Sequence, residues 1–163
     1  VQRLGVEDVA LAREVIRTIK THGDTAEDLS LGPANMDAWL SKSSNVLIAA
    51  TDEGMSVGFA LGYLLDRVDE ARTMLFFYEI EVAIDFRCRG IGSRLVEAMK
   101  RVAREEGVFK MWVQTHPENI AARALYQKMG GVECEGQDLL YVWTGRDLGD
   151  PSDSSSDETR QKR

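Results

Sequence analysis

Between Thr73 and Gln114 the sequence reads as a strand, a glycine turn, an amphipathic helix and a second strand, and this succession restricts the fold more than any other stretch. Thr73 to Ile84 is a long run of aromatic and branched residues, the composition of a strand. Arg87-Cys-Arg-Gly-Ile-Gly92 follows, and a helix begins at about Ser93. Its apolar residues Leu95, Val96, Met99, Val102 and Ala103 form one helical stripe that ends at Gly107. Lys110 to Gln114 is a short strand. A further helix over Glu118 to Met129 carries Ala122, Leu125, Tyr126 and Met129 on one stripe, with Gly130 and Gly131 as its stop.

Upstream, Val6, Val9, Leu11, Val15, Ile16 and Ile19 give residues 6–20 helical spacing. Thr21 to Gly32 is a polar loop, and Pro33 opens a short helix with Met36, Trp39 and Leu40. Asn45 to Thr51 and Val57 to Leu65 form a hairpin about Asp52-Glu53-Gly54, and Arg67 to Arg72 is a charged turn. Val132 to Glu135 and Leu139 to Thr144 suggest a last strand pair. The order is helices, a β meander, then β–α–β–α–β, so a single mixed α/β domain is expected over 1–148. Residues 149–163 are Ser/Asp-rich and expected to be a polar, disordered tail. The chain opens on Val1 rather than methionine, and a clipped first strand is expected.

No apolar run approaches the ~20 residues that span a bilayer, and no signal-peptide pattern opens the sequence, so no membrane partner and a cytoplasmic location are expected. Cys88 and Cys134 are too few for a disulfide scaffold and lack metal-knuckle spacing; no metal is expected. Charge is divided unevenly. Asp24 to Glu81 holds eleven acids and three bases, whereas Val82 to Gly131 holds five acids and nine bases. Such an asymmetry is either an ordinary solvated surface or a basic side for an anionic ligand beside an acidic side for a cationic one. The overall charge of −7 argues against nucleic acid as a partner.

A strand, a glycine turn and a helix N-terminus make an anion site, because the first helical N–H groups lack internal partners and carry partial positive charge. Gly90 and Gly92 permit close approach of a ligand, and Arg87, Arg89 and Arg94 add full charge. The turn has neither the Gly-Lys-Ser/Thr of a P-loop nor the three glycines of a dinucleotide fingerprint.

Ile80-Glu-Val82 followed by Arg87-Cys-Arg-Gly-Ile-Gly92 resembles the signature of GNAT N-acetyltransferases, a strand Leu-x-Val followed by Arg/Gln-x-x-Gly-x-Gly/Ala. A second family block, Asn-x-x-Ala-x-x-Leu-Tyr-x-x-x-Gly, stands complete from Asn119 through Ala122, Leu125 and Tyr126 to Gly130. The resemblance implies a GNAT fold: a mixed, mostly antiparallel sheet flanked by helices, with a splayed strand pair at the cofactor site. It implies acetyl-CoA as cosubstrate. The main chain of Ile80, Glu81 and Val82 would hold the pantetheine arm. The turn from Arg87 through Cys88, Arg89, Gly90, Ile91 and Gly92 to Ser93 would hold the pyrophosphate. Asn119 would contact the pantetheine arm and Tyr126 would protonate the leaving thiolate. Each has an alternative: Asn119 is also a natural helix cap, and Tyr126 lies on an apolar stripe. The family often has Pro at Ile84, Gly at Cys88 and Phe at Gly131, which leaves cofactor use intact.

Amine acetylation also needs a proton acceptor. Glu79 and Glu81 lie two apart on the long strand and therefore on one face, alternating with Tyr78, Ile80 and Val82 on the other. They are either an exposed or salt-bridged strand face, or a base (Glu79) with Glu81 holding a cationic acceptor. His22 and His116 lack any motif. Ala-Ala-Thr51-Asp-Glu, Gly62-Tyr63 and Tyr78-Glu79-Ile-Glu-Val82 are similar to the aminoglycoside 3-N-acetyltransferase branch, whose strand reads Tyr-Asp-Leu-Ala-Val. That likeness implies a polycationic small-molecule amine as partner, with Asp28 and Asp66, among Asp24, Glu27, Asp37, Asp69 and Glu70, on the acceptor rim. Polyamine, amino-acid or protein acetylation and a catalytically silent acyl-CoA sensor are the competing expectations. A homodimer through the strands after Gly131 is the expected assembly.

Overall fold

Strand alternation divides the core into two halves. In the computed structural model, which describes residues 1–20 and 33–133, Val46, Ile48 and Ala50 face one buried cluster while Leu47 and Ala49 face another. They belong to β2 (Asn45–Asp52), which lies between β1 (Gln2–Arg3) and β3 (Met55–Asp66). Among the described residues, β4 (Thr73–Val82) and β5 (Lys110–Val113) bring the sheet to five strands in the order β1-β2-β3-β4-β5. Every pairing is antiparallel except β4 with β5. That exception follows from the helix joining them, since parallel neighbours need a crossover connection.

One face is covered by α1 (Val9–Lys20) and α2 (Pro33–Leu40). Ala12, Val15, Ile16, Ile19 and Met36 pack there on Leu47, Ala49 and Phe59. The other face is covered by α3 (Ile91–Glu105), which buries Leu95, Val96, Met99 and Val102 against Leu75 and Phe77. α4 (Ile120–Lys128) adds Leu125 and Tyr126 to the same cluster. The mixed α/β order expected from the sequence is the observed one. Residues Val1–Val132 form one compact unit. The predicted strand pair after Gly131 lies outside the described residues beyond Glu133, as does the tail 149–163.

Differences from expectation lie at element ends and have local causes. β4 stops at Val82 rather than Ile84, because Ile84–Phe86 is a 3₁₀ turn. α3 starts at Ile91 rather than Ser93: Gly90 takes the left-handed conformation (φ 77°) as its cap, and Ile91 is already in the core. β1, anticipated only as a clipped strand, is present as two residues against Ile48 and Ala49. The β2–β3 turn has Glu53 and Gly54 both at positive φ, the geometry that matches hairpin twist.

The largest consequence for function is a register shift in β4. Leu61 pairs with Glu79 and Gly62 with Phe77, so Tyr78 is an extra residue with no partner on β3, a β-bulge. The bulge reverses the alternation: Leu75 and Phe77 before it, and Ile80 and Val82 after it, all face α3. Tyr78 therefore shares a face with Glu79 and Glu81, on the α1/α2 side, instead of opposing them. Beyond the bulge β3 approaches so closely that a Cβ on Gly58 would lie 2.8 Å from the Glu81 carbonyl oxygen. Gly58→Ala is expected to destabilise the domain by about 1–3 kcal/mol and to lower activity through displacement of Glu81, as urea unfolding alongside turnover would show.

Candidate active site

The site is organised by an incomplete ladder. β4 and β5 pair only from Met74/Lys110 to Phe77/Val113, and β4 then runs on through Tyr78 to Val82. The β5-facing main chain of that stretch has no strand partner among the described residues, and unpaired strand groups seek hydrogen bonds. Ile80, Glu81 and Val82 lie in it, as the family resemblance implies. One of its acceptors is taken, since Arg87 Nε donates to the Val82 carbonyl at 2.9 Å.

The turn behind β4 is built around two left-handed residues, Cys88 (φ 60°) and Gly90 (φ 77°). The first explains why glycine is the family's common choice at Cys88, since a side chain in this region is disfavoured by roughly 1–2 kcal/mol. A Cβ at Gly90 would meet nothing, so the helix start is open on that side. Gly92 also has a packing role: its Cβ would lie 3.2 Å from Leu125, so its absence lets α4 pack onto the beginning of α3. α3 has no side-chain cap and no acid in its first turn. Its leading N–H groups, including that of Ser93, are thus left for an external anion. Arg89 lies over the Phe86 ring at 4.9 Å, which holds its charge beside the turn. These features fit a pyrophosphate.

On the far side of the gap stand the carboxylates. Glu79 Oε2 is buried and lies 3.0 Å from Lys20 Nζ at the end of α1, a Coulombic contact rather than an aligned hydrogen bond. The Glu81 side chain is half-buried and forms no ion pair or hydrogen bond among the described residues. Burial, reinforced by the charge of Glu79, pushes its carboxyl above the usual range against the opposing pull of Lys20 and Arg87. The sequence expectation made Glu79 the base; the geometry gives Glu79 a cationic partner and leaves Glu81 unpaired. Lys20 was not foreseen, because a lysine ending an amphipathic helix carries no motif.

Tyr126 approaches from the α3/α4 side. Its ring meets Phe77, the last β4 residue paired with β5, edge-on at 6.3 Å, and burial raises its phenol above the ordinary value. Asn119 caps α4, its Oδ1 accepting from the Ala122 N–H at 3.1 Å, so the capping alternative is realised. His116 is exposed beside it, its carbonyl accepting the Asn119 N–H. The structure therefore gathers the gap, the turn, Glu79, Glu81 and Tyr126 at one end of β4.

The acidic rim is not gathered there. Asp66 pairs with Thr73 at the opposite end of β4, roughly 17 Å along the strand from Glu79, and accepts the Thr73 hydroxyl at 2.9 Å. Asp37 is bound by Arg13 at 2.8 Å, and Asp69 and Glu70 pair with Arg67 in the same turn as Asp66. Asp24, Glu27, Asp28 and His22 lie outside the described residues. No group of three or more metal-ligating side chains occurs among the described residues, and no described helix is long and apolar enough to cross a membrane.

Residues 11–131 match the acetyltransferase (GNAT) family, and the chain belongs to that family of N-acetyltransferases. It is 29% identical over 111 residues to an uncharacterized N-acetyltransferase of Bacillus subtilis, YhfO, across 68% of this chain and 74% of that one. It is also 29% identical over 109 residues to the aminoglycoside N(6′)-acetyltransferase type 1 of Salmonella typhimurium, across 61% and 75% respectively. An aminoglycoside acetyltransferase from an uncultured soil metagenomic sample shares the fold with a TM-score of 0.79 at 20% identity, over 88% of this chain and 93% of that one. The family supports acetyl-CoA as the acetyl donor.

Proposed function

We propose that this enzyme acetylates a primary amine of a polycationic small molecule, an aminoglycoside, with Glu81 as proton acceptor and Tyr126 as proton donor. The observation that carries the reading is the pair Glu79 and Glu81, turned by the bulge onto the face opposite Tyr126 at the unpaired end of β4. Support for the acceptor comes from relatives named as aminoglycoside acetyltransferases. The relative that names a position is an N(6′) enzyme, so the 6′-amine takes precedence over the 3-N position suggested by the strand sequence.

Acetyl-CoA supplies an acetyl group activated as a thioester. The α3 N-terminus from Gly90 to Ser93 would hold its pyrophosphate, with Arg87, Cys88 and Arg89 forming the approach, and the main chain from Ile80 to Val82 would hold the pantetheine arm. Asn119, its oxygen committed to the cap, keeps its amide hydrogens for the same arm. An attacking amine must be neutral, and Glu81, unpaired and less acidic than an ordinary glutamate, is suited to take its proton. Glu79, held beside Lys20, raises the basicity of Glu81 and attracts the acceptor's other ammonium groups. Tyr126 Oη, kept protonated by burial, gives its proton to the departing sulfur.

Thiol release from acetyl-CoA over an amine panel tests the function. Turnover with gentamicin and neamine well above that with spermidine or peptides is expected, and NMR of the neamine product should place the acetyl group on the 6′-nitrogen. Release with spermidine alone would replace the aminoglycoside by a polyamine; binding of acetyl-CoA without release to any amine would make the chain a sensor.

Two substitutions test the proton assignments. Tyr126→Phe is expected to lower kcat by about 10²–10⁴-fold with acetyl-CoA affinity nearly unchanged; unaltered kcat would return Tyr126 to the core. Because Glu81 must be ionised to work, the rate falls as pH drops through its raised value, and Glu81→Gln should remove that acidic limb. The same change should raise the urea midpoint at neutral pH. The folded chain holds this proton more tightly than the unfolded one, so stability falls as pH rises through the raised value.

A further inference from the structure

Five aromatic rings cross the α1/α2 face in a continuous row. Trp39 of α2 meets Tyr63 at 6.1 Å, Tyr63 meets Tyr78 at 5.8 Å, and Tyr78 meets Phe76 at 5.7 Å, each edge to face. Phe76 then stacks on Trp112 of β5, with centroids 5.4 Å apart and planes within 15°. Cross-strand aromatic pairs do stabilise sheets, but four of these rings belong to neither buried cluster; Trp39 alone packs against the α1/α2 core. Tyr78, in the middle of a long strand, is 54% exposed.

The position of the row gives the exposure a use. Tyr78 is the bulged residue, and the bulge puts its ring on the same face as the adjacent Glu79. Electron-rich ring faces and a carboxylate pair thus border one surface. Ring faces attract cations and the slightly positive C–H groups of a saturated ring bearing ammonium substituents. The Tyr63 and Tyr78 hydroxyls offer donors and acceptors to ring hydroxyls. A linear polyamine would use the carboxylates but leave most of this face uncovered. A ring-bearing amine uses both.

We infer that Tyr78 and its neighbours Tyr63 and Phe76 form the docking face for a saturated, amine-bearing ring of the acceptor, seating that ring so that its amine faces Glu79 and Glu81. The inference rests on the proposed function and adds the structural class of substrate that the face selects: cyclic rather than linear amines.

The experiment compares the wild-type chain with Tyr78→Ala, Tyr78→Leu and Tyr78→Phe. Gentamicin affinity is measured by calorimetry in the presence of CoA, and kcat and KM are measured for gentamicin and spermidine. Loss of the ring face should raise the Kd and KM for gentamicin about five- to thirty-fold in both the Ala and Leu variants, the scale of such ring contacts. The ratio of gentamicin to spermidine kcat/KM should fall with them, and Tyr78→Phe should restore it. The Leu variant keeps apolar bulk in the strand, so an effect confined to Ala would mean a packing defect and overturn the docking face. Wild-type turnover of gentamicin with unchanged affinity in the Leu variant would overturn the docking face alone. Failure of the wild-type enzyme to bind gentamicin would overturn both this inference and the aminoglycoside reading.

Discussion

The single extra residue at Tyr78 governs the chemistry of this fold. Were Tyr78 instead held in an unbroken register, strict alternation would put Glu79 and Glu81 on the face of Leu75 and Phe77, inside the cluster made with α3. Two carboxylates buried there without partners would cost several kcal/mol. The bulge lets one strand be an apolar core strand at its beginning, supply Ile80 and Val82 to the same core at its end, and still turn two acids the other way. Gly58 makes the arrangement possible on the β3 side by allowing its backbone to come close to Glu81. A local irregularity thus reconciles two demands that a regular strand could not meet.

The second constraint is the short parallel ladder with β5. Pairing ends at Phe77, one residue before the bulge, so the strand's free edge and its change of face begin at the same place. Tyr126 reaches this point from the α4 layer and the carboxylates from the α1 side. In the proposed reaction the two proton transfers therefore occur on opposite faces of the sheet.

Much of this was legible in the sequence. The strand–turn–helix core, the hairpin and the second helix follow from hydrophobic period and glycine placement, with ends shifted by a residue or two where Gly90 and Asn119 act as caps. The motif residues of β4, the glycine turn and α4 lie at one end of the sheet. The bulge was not legible: period-two reasoning assumes an unbroken register, and Tyr-Glu-Ile-Glu-Val alternates perfectly on paper. That one assumption misplaced Tyr78 and concealed the aromatic row. The Lys20–Glu79 pair was equally invisible, because it joins elements 59 positions apart through tertiary packing alone. The contact of Gly92 with Leu125 was not legible either, since it joins two helices through packing.

The acidic surplus is the point at which composition misleads most. Summed along the chain, Asp24 to Glu81 looks like a broad negative surface waiting for a polycation. In the structure Asp37, Asp69 and Glu70 are bound to arginines, and Asp66 closes a turn at the far end of the strand. Exposed pairs of this kind contribute little to stability, and they give these acids partners of their own. In the proposed reaction a cationic acceptor is attracted at close range, where Glu79 and Glu81 lie on the same face as a row of aromatic rings. A short-range arrangement of this sort discriminates by shape as well as by charge, because carboxylates alone accept any ammonium whereas the rings favour one attached to a cyclic, saturated frame.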